Sequence, residues 1–255
     1  MNISLIHVFG ALLTIGVRLT GLMLFAPFFG SVAISARVKA VLVLTLTALL
    51  YPITAGKIPQ MTISQWPLMI FSESLIGVAL GVVTNIVFDG VQMAGQVLSV
   101  QMGYSLVNIL DPQTQVESTV VATFHQMIAM LIFLRLNVHL WILRALAHSF
   151  DYLPPSSGHF GAPFVSAALH AGAEVFAVGI QIAAPVLAAT LLADIALGLL
   201  GKASPQLPLM LLGPAVKSIL GLLVLISALT YWPSLFEHLF LGSVEQADHL
   251  LHLAQ

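Results

Sequence analysis

The sequence predicts an all-α protein of the membrane type, on three observations. Of its 255 residues 59% are hydrophobic and only 7% charged, whereas soluble domains carry about 25% charged residues. Its mean hydropathy is +1.03. The apolar residues fall in long runs separated by Pro- and Gly-bearing breaks, and in a hydrocarbon phase such runs must be helical to satisfy their own backbone. Eight Lys or Arg against ten Asp or Glu give a net charge of -2, which leaves no basic patch for nucleic acid. The chain has no cysteine, excluding disulfides, iron-sulfur clusters and thiolate zinc sites without identifying a compartment. It has no Gly-rich phosphate loop, Gly-x-Ser-x-Gly, His-Glu-x-x-His or paired-carboxylate spacing. No enzyme activity and no cofactor are therefore expected, and no short repeat suggests a solenoid.

Ile3 to Phe29 is long enough to cross a hydrocarbon core, which takes about 20 residues. Met1–Gly21 lacks a basic leader and a small-residue cleavage site, and is expected to be retained. Arg18 sits in the middle of this run. Its two readings are a structural pair with a carboxylate and a substrate or ion pathway; without a matched series of charges, the pair is favoured. Pro27 and Gly30 end the helix. Ala40 to Ile53 is short for a straight span, and Thr54 to Gln65 is polar enough to face water. Pro67 to Phe88 contains Glu73 and a Gly77-x-x-x-Gly81 pair, the spacing that brings two helices close. Glu73 reads as a proton relay or, more often for a lone acid, as a paired interface residue.

Asp89 to Pro112, DGVQMAGQVLSVQMGYSLVNILDP, departs from its apolar surroundings. Gln92 and Gln96 lie one helical turn apart, and Gly95, Ser99 and Gly103 follow the same four-residue ridge. A helix here presents a smooth seam flanked by amides, which calls for a neighbouring backbone. The run is expected to end in a turn at Asn108 and Asp111-Pro112.

Glu117 to Leu134 is apolar around His125 and Gln126; Arg135, Asn137 and His139 then form a polar break, where the chain is expected to pause. Leu140 to Phe150 carries Trp141, Arg144 and His148, and the loop 154–163, with Pro154 and Pro155, separates an N-terminal part, 1–153, from a C-terminal part, 164–255. Val165 to Leu200 is too long for one ordinary span. Pro185 inside it frees the carbonyl of Gln181, so a kink or break is expected, and Glu174, Gln181 and Asp194 point buried polar groups in several directions. Leu209 to Leu229 is another membrane-length run, with Lys217 inside it. In the tail 232–255, Leu235, Phe236, Leu239 and Phe240 alternate with Glu237, His238, Glu245 and Asp248 at the spacing of an amphipathic interfacial helix. His238, His249 and His252 without a fixed second shell read as solvated, and no metal is expected.

Five stretches together resemble one known family: AGQVLSVQMGYSLVNILDPQTQ, RLTGLMLFAPFFGS followed by ARVKAVLVL, FLRLNVHLWILRAL, and QIAAPVLAATLLADIALGLLGKASPQL. The chain resembles the FliR family of type III secretion export-gate subunits over nearly its whole length, in the family's order. That resemblance implies a subunit of a bacterial inner-membrane pore at the flagellar basal body, beside FliP-like, FliQ-like and FlhB-like subunits, exporting flagellar proteins. It implies tilted, broken helical hairpins, a FliP-like part joined to a FliQ-like part, in a helical complex largely above the membrane plane. Arg18, Glu73 and Asp194 would then meet protein or water, not lipid. It also implies that Leu106, Val107, Asn108, Ile109, Leu110, Asp111 and Pro112 plug the pore. Where some relatives carry phenylalanines, this chain has Leu106 and Ile109, so the seal is aliphatic. Gln92, Gly95, Gln96, Ser99 and Gly103 are the expected subunit interface. From the residues alone, a capped turn between packed helices competes with the plug. A solute transporter, or a scaffold without a pore, competes with the gate subunit. A hydropathy count gives about six spans.

Overall fold

The computed structural model describes residues 5–31, 34–59, 62–104, 120–155, 157–204, 206 and 209–254. Among them are eight α-helices: α1 Leu5–Phe25, α2 Ala36–Thr54, α3 Trp66–Gln101, α4 Val120–Arg135, α5 Val138–Tyr152, α6 Ala162–Ala203, α7 Leu209–Ala228 and α8 Trp232–His252. Four stretches are long and apolar enough to cross a membrane alone: His7–Phe25, Ala36–Lys57, Trp66–Gln101 and Ala162–Ala203. Counting the bent pairs α4 with α5 and α7 with α8 as one span each gives up to six. The chain is thus all-helical and of the membrane type.

Helix ends follow the sequence signals at most boundaries. α1 stops because Ala26 precedes Pro27, which disfavours a helical conformation there; the reversal is closed by Gly30 N–H donating to Ala26 O at 2.8 Å. α4 gives way to α5 at Leu136 and Asn137, where the polar break was expected. Asn137 has φ 57, a left-handed conformation that its short side chain tolerates better than most residues do.

One boundary differs from expectation, and a second was not marked in the sequence. α6 runs unbroken for 42 residues through Pro185, so the missing N–H costs one hydrogen bond without ending the helix. The turn expected at Asn108 and Asp111-Pro112 lies outside the described residues, and α3 ends at Gln101. There the Gly103 N–H donates to Val100 O at 3.1 Å and the Tyr104 N–H to Ser99 O at 2.9 Å, with Gly103 at φ +87. This pair of bonds around a left-handed glycine is a Schellman cap, which satisfies the last carbonyls of the helix.

The chain forms two compact units, each drawn from separate stretches: Met1–Ile86 with Asn137–Ala173 and Phe240–Gln255, and Val87–Leu136 with Glu174–Leu239. In the first, α1 and the start of α3 touch backbone to backbone. A Cβ on Gly21 would lie 2.8 Å from Ser74 O, one on Gly81 would lie 2.9 Å from Phe25 Cβ, and one on Gly77 would collide with Arg18 O. The Gly77/Gly81 spacing therefore does what it predicts, with α1 as the partner. Every third or fourth residue of α5 is buried, Val138, Ile142, Leu146, Ser149 and Phe150. In α8 the apolar stripe includes Phe240, Ala247, Leu250 and Leu251, all at most 2% exposed. That stripe is covered by protein, so the expected interfacial tail is a packed helix. Its C-terminal end is tied down by the His159 N–H donating to Ala254 O at 2.7 Å. Asp248 accepts the Tyr152 hydroxyl at 2.7 Å, and His252 stacks on the Tyr152 ring.

Candidate functional site

Three polar features interrupt the apolar helices, and the residues singled out from sequence fall into them. The first lies in the unit that holds α1. Arg18 and Glu73 have no exposed side-chain surface, and Arg18 Nε donates to Glu73 Oε2 at 2.6 Å. The guanidinium also donates to Ser149 Oγ at 2.8 Å and to Leu153 O at 3.1 Å. It sits 3.9 Å from the centre of the Phe150 ring. Ser149 passes the chain on, donating to Leu146 O at 2.6 Å. Glu73 Oε1 has no hydrogen-bond partner among the described residues. One arginine thus joins α1, α3 and the end of α5 by geometry that only a planar, multiply donating cation provides. Such a pair does little for net stability compared with a hydrophobic filling, but it punishes loss of either partner.

The second feature is the seam of α3, in the other unit. A Cβ on Gly95 would collide with the Ala122 backbone of α4, and one on Gly90 would lie 2.6 Å from the Val178 side chain of α6. The neighbouring backbone that the seam calls for belongs, at these points, to this chain. Ser99 is fully buried, and its hydroxyl has no partner among the described residues. Gln92 is half-buried and Gln96 exposed. Leu106, Val107, Asn108, Ile109, Leu110, Asp111 and Pro112 lie outside the described residues.

The third feature joins α6 and α7 to the end of α3. Asp194, expected among the buried charges, is 42% exposed. Its Oδ1 lies 3.0 Å from Lys217 Nζ, and its Oδ2 accepts from Gln101 Nε2 at 3.1 Å. Partial exposure follows from its place on α6, whose membrane-type window is only 33% buried. Glu174 and Gln181, farther back on α6, are exposed. Sequence reasoning did not find Ser149, Gln101 or Ser218, whose hydroxyl donates to Met102 O at 2.8 Å. The signal was a hydroxyl or amide inside an apolar run. It says that a partner is needed without saying which.

Residues 9–243 match the family model described as bacterial export proteins, family 1. The chain belongs to that family. Members similar to it include the flagellar biosynthetic protein FliR of Pectobacterium carotovorum subsp. carotovorum, 33% identical over 88% of this chain and 86% of the relative. The FliR protein of Bacillus subtilis (strain 168) is 29% identical over 98% of both chains. That of Escherichia coli (strain K12) is 29% identical over 88% of this chain and 85% of its own. All three polar features fall within the matched residues.

Proposed function

We propose that the chain is a structural and gating subunit of the flagellar type III protein-export channel in the bacterial inner membrane. The observation that carries this reading is the export-protein family match over residues 9–243, joined by relatives named flagellar biosynthetic protein. The geometry supports it. Membrane-type helices expose apolar faces, bury Arg18, Glu73 and Ser99, and leave Gln96, Glu174 and Gln181 exposed, as expected of a subunit that meets other subunits as well as lipid. A solute transporter calls for broken helices in corresponding positions of two halves, and α6 runs unbroken through Pro185.

FliP-like and FliQ-like subunits, with an FlhB-like one beside them, are the partners in this reading. The parts 1–153 and 164–255 correspond to FliP-like and FliQ-like portions in tilted hairpins, partly above the bilayer plane. Gln92 and Gln96 face a neighbouring subunit across the flank of the seam, while Gly95, Ser99 and Gly103 pack within the chain. Leu106 to Pro112 closes the pore by apolar contact and exclusion of water. Cells lacking this chain should export no flagellar subunits and regain export when it is supplied. Export that continues at the normal rate without it would refute the reading.

A further inference from the structure

The face of α7 formed by Pro214, Lys217, Ser218 and Gly221 has the spacing i, i+3, i+4, i+7, one stripe of a helix. Each member meets the end of α3 or the carboxylate that grips it. A Cβ on Gly103 would lie 2.9 Å from Pro214 Cβ, and one on Gly221 would lie 2.8 Å from the Met102 side chain. Ser218 donates to Met102 O at 2.8 Å, supplying a partner for a carbonyl that the ended helix leaves without one. Lys217 reaches Asp194 of α6, and the other oxygen of Asp194 takes the amide of Gln101, the last residue of α3. Lys217 is only 19% exposed, so its charge needs that carboxylate.

We infer that Asp194 and Lys217 are positioning residues: they clamp the Schellman cap of α3 against α7 and so fix where the chain leaves the helix. The inference rests on the gate reading for its consequence, since the chain that leaves α3 there enters the stretch proposed to close the pore. The clamp itself concerns only the end of α3. Asp194 of α6 bonds the end of α3 with one oxygen and Lys217 of α7 with the other, so one carboxylate ties the three helices together there.

Hydrogen exchange at the Gly103 and Tyr104 amides, the two donors of the cap, reads the clamp directly in the purified export complex. Asp194→Asn and Lys217→Met should each speed exchange by about fivefold, the effect expected of a partly screened, hydrogen-bonded ion pair. The reversed pair, Asp194→Lys with Lys217→Asp, should return the rate toward the original, with Gln101 turning its amide oxygen to the new lysine. Unchanged exchange in the single variants, or a reversed pair as fast as they are, overturns the clamp. If the charge variants do not accumulate, Gln101→Met decides, because it keeps the ion pair and removes only the bond from Asp194 to the end of α3. Faster exchange at the cap supports the clamp, and an unaltered rate overturns it. Ion conductance of the same complexes separates the two readings: leak accompanying fast exchange ties the clamp to closure, whereas fast exchange in a closed channel keeps the clamp and refutes the gate role.

Discussion

Arg18 shows what one residue is asked to do in this chain. It has no exposed surface and four partners, one on α3 and three at the end of α5, so its value lies in fixing how α1 meets those two helices. Arg18→Leu leaves Glu73 charged and buried, and should destabilise the chain by about 3–5 kcal/mol. Combining it with Glu73→Leu removes both charges and should recover most of that loss. Thermal unfolding in mild detergent, or resistance to protease, checks this: a double variant no more stable than Arg18→Leu would show that the pair contributes more than mutual neutralisation. Gly77 gives a second test at this scale. Its missing Cβ is where the Arg18 carbonyl lies, so Gly77→Ala should separate α1 from α3 and lower stability. Gly172 has open space around its Cβ position, and Gly172→Ala should be neutral or stabilise by about 0.5–1 kcal/mol. Equal effects of the two substitutions would contradict the close contact.

At the scale of elements, α3 matters most, because it carries Glu73 near one end and the seam and cap at the other. Gly95→Leu should push α4 away, since the Ala122 backbone occupies the site of the new side chain. Proteolysis faster than that of the unaltered chain, each made without partners, is the expected outcome, because the contact is internal. A Gly95→Leu chain that folds normally and fails only to assemble would move the contact to a partner. The stretch after the cap is tested by deleting Leu106 to Leu110. The complex should assemble and leak ions and small solutes, while assembled complexes with unaltered conductance would refute a plug.

The whole molecule leaves much apolar surface open. Only 11% of the α2 window and 33% of the α6 window are buried, and Leu44, Leu169, Leu192 and Leu199 are each more than 60% exposed. Lipid covers such surface, and so do neighbouring subunits. For a gate subunit the second share is substantial, so the chain should be degraded when made alone and become protease-resistant when co-expressed with FliP-like and FliQ-like partners. Co-purification and limited proteolysis check this; a stable, monodisperse monomer in mild detergent would oppose it.

Composition and periodicity by themselves determined the all-helical, membrane-type character, the end of α1 at Pro27, the break near Asn137 and the need for close backbones at Gly77, Gly81 and Gly95. These are local properties: hydropathy, proline sterics and the size of a missing side chain act within a turn or two. Arg18 and Glu73 were both legible as residues in need of partners, and their pairing was not, because they are 55 residues apart in sequence. At Pro185 the break that was one of two expected outcomes is absent, for the opposite reason. The rule that proline breaks a helix concerns one hydrogen bond, and the rest of a 42-residue helix outweighs it. Gly103 read as one more small residue of the seam, and only the backbone geometry made it a cap. The tertiary structure alone put Asp194 and Lys217 around that cap, since an ion pair between separate helices depends on which faces the packing turns toward each other.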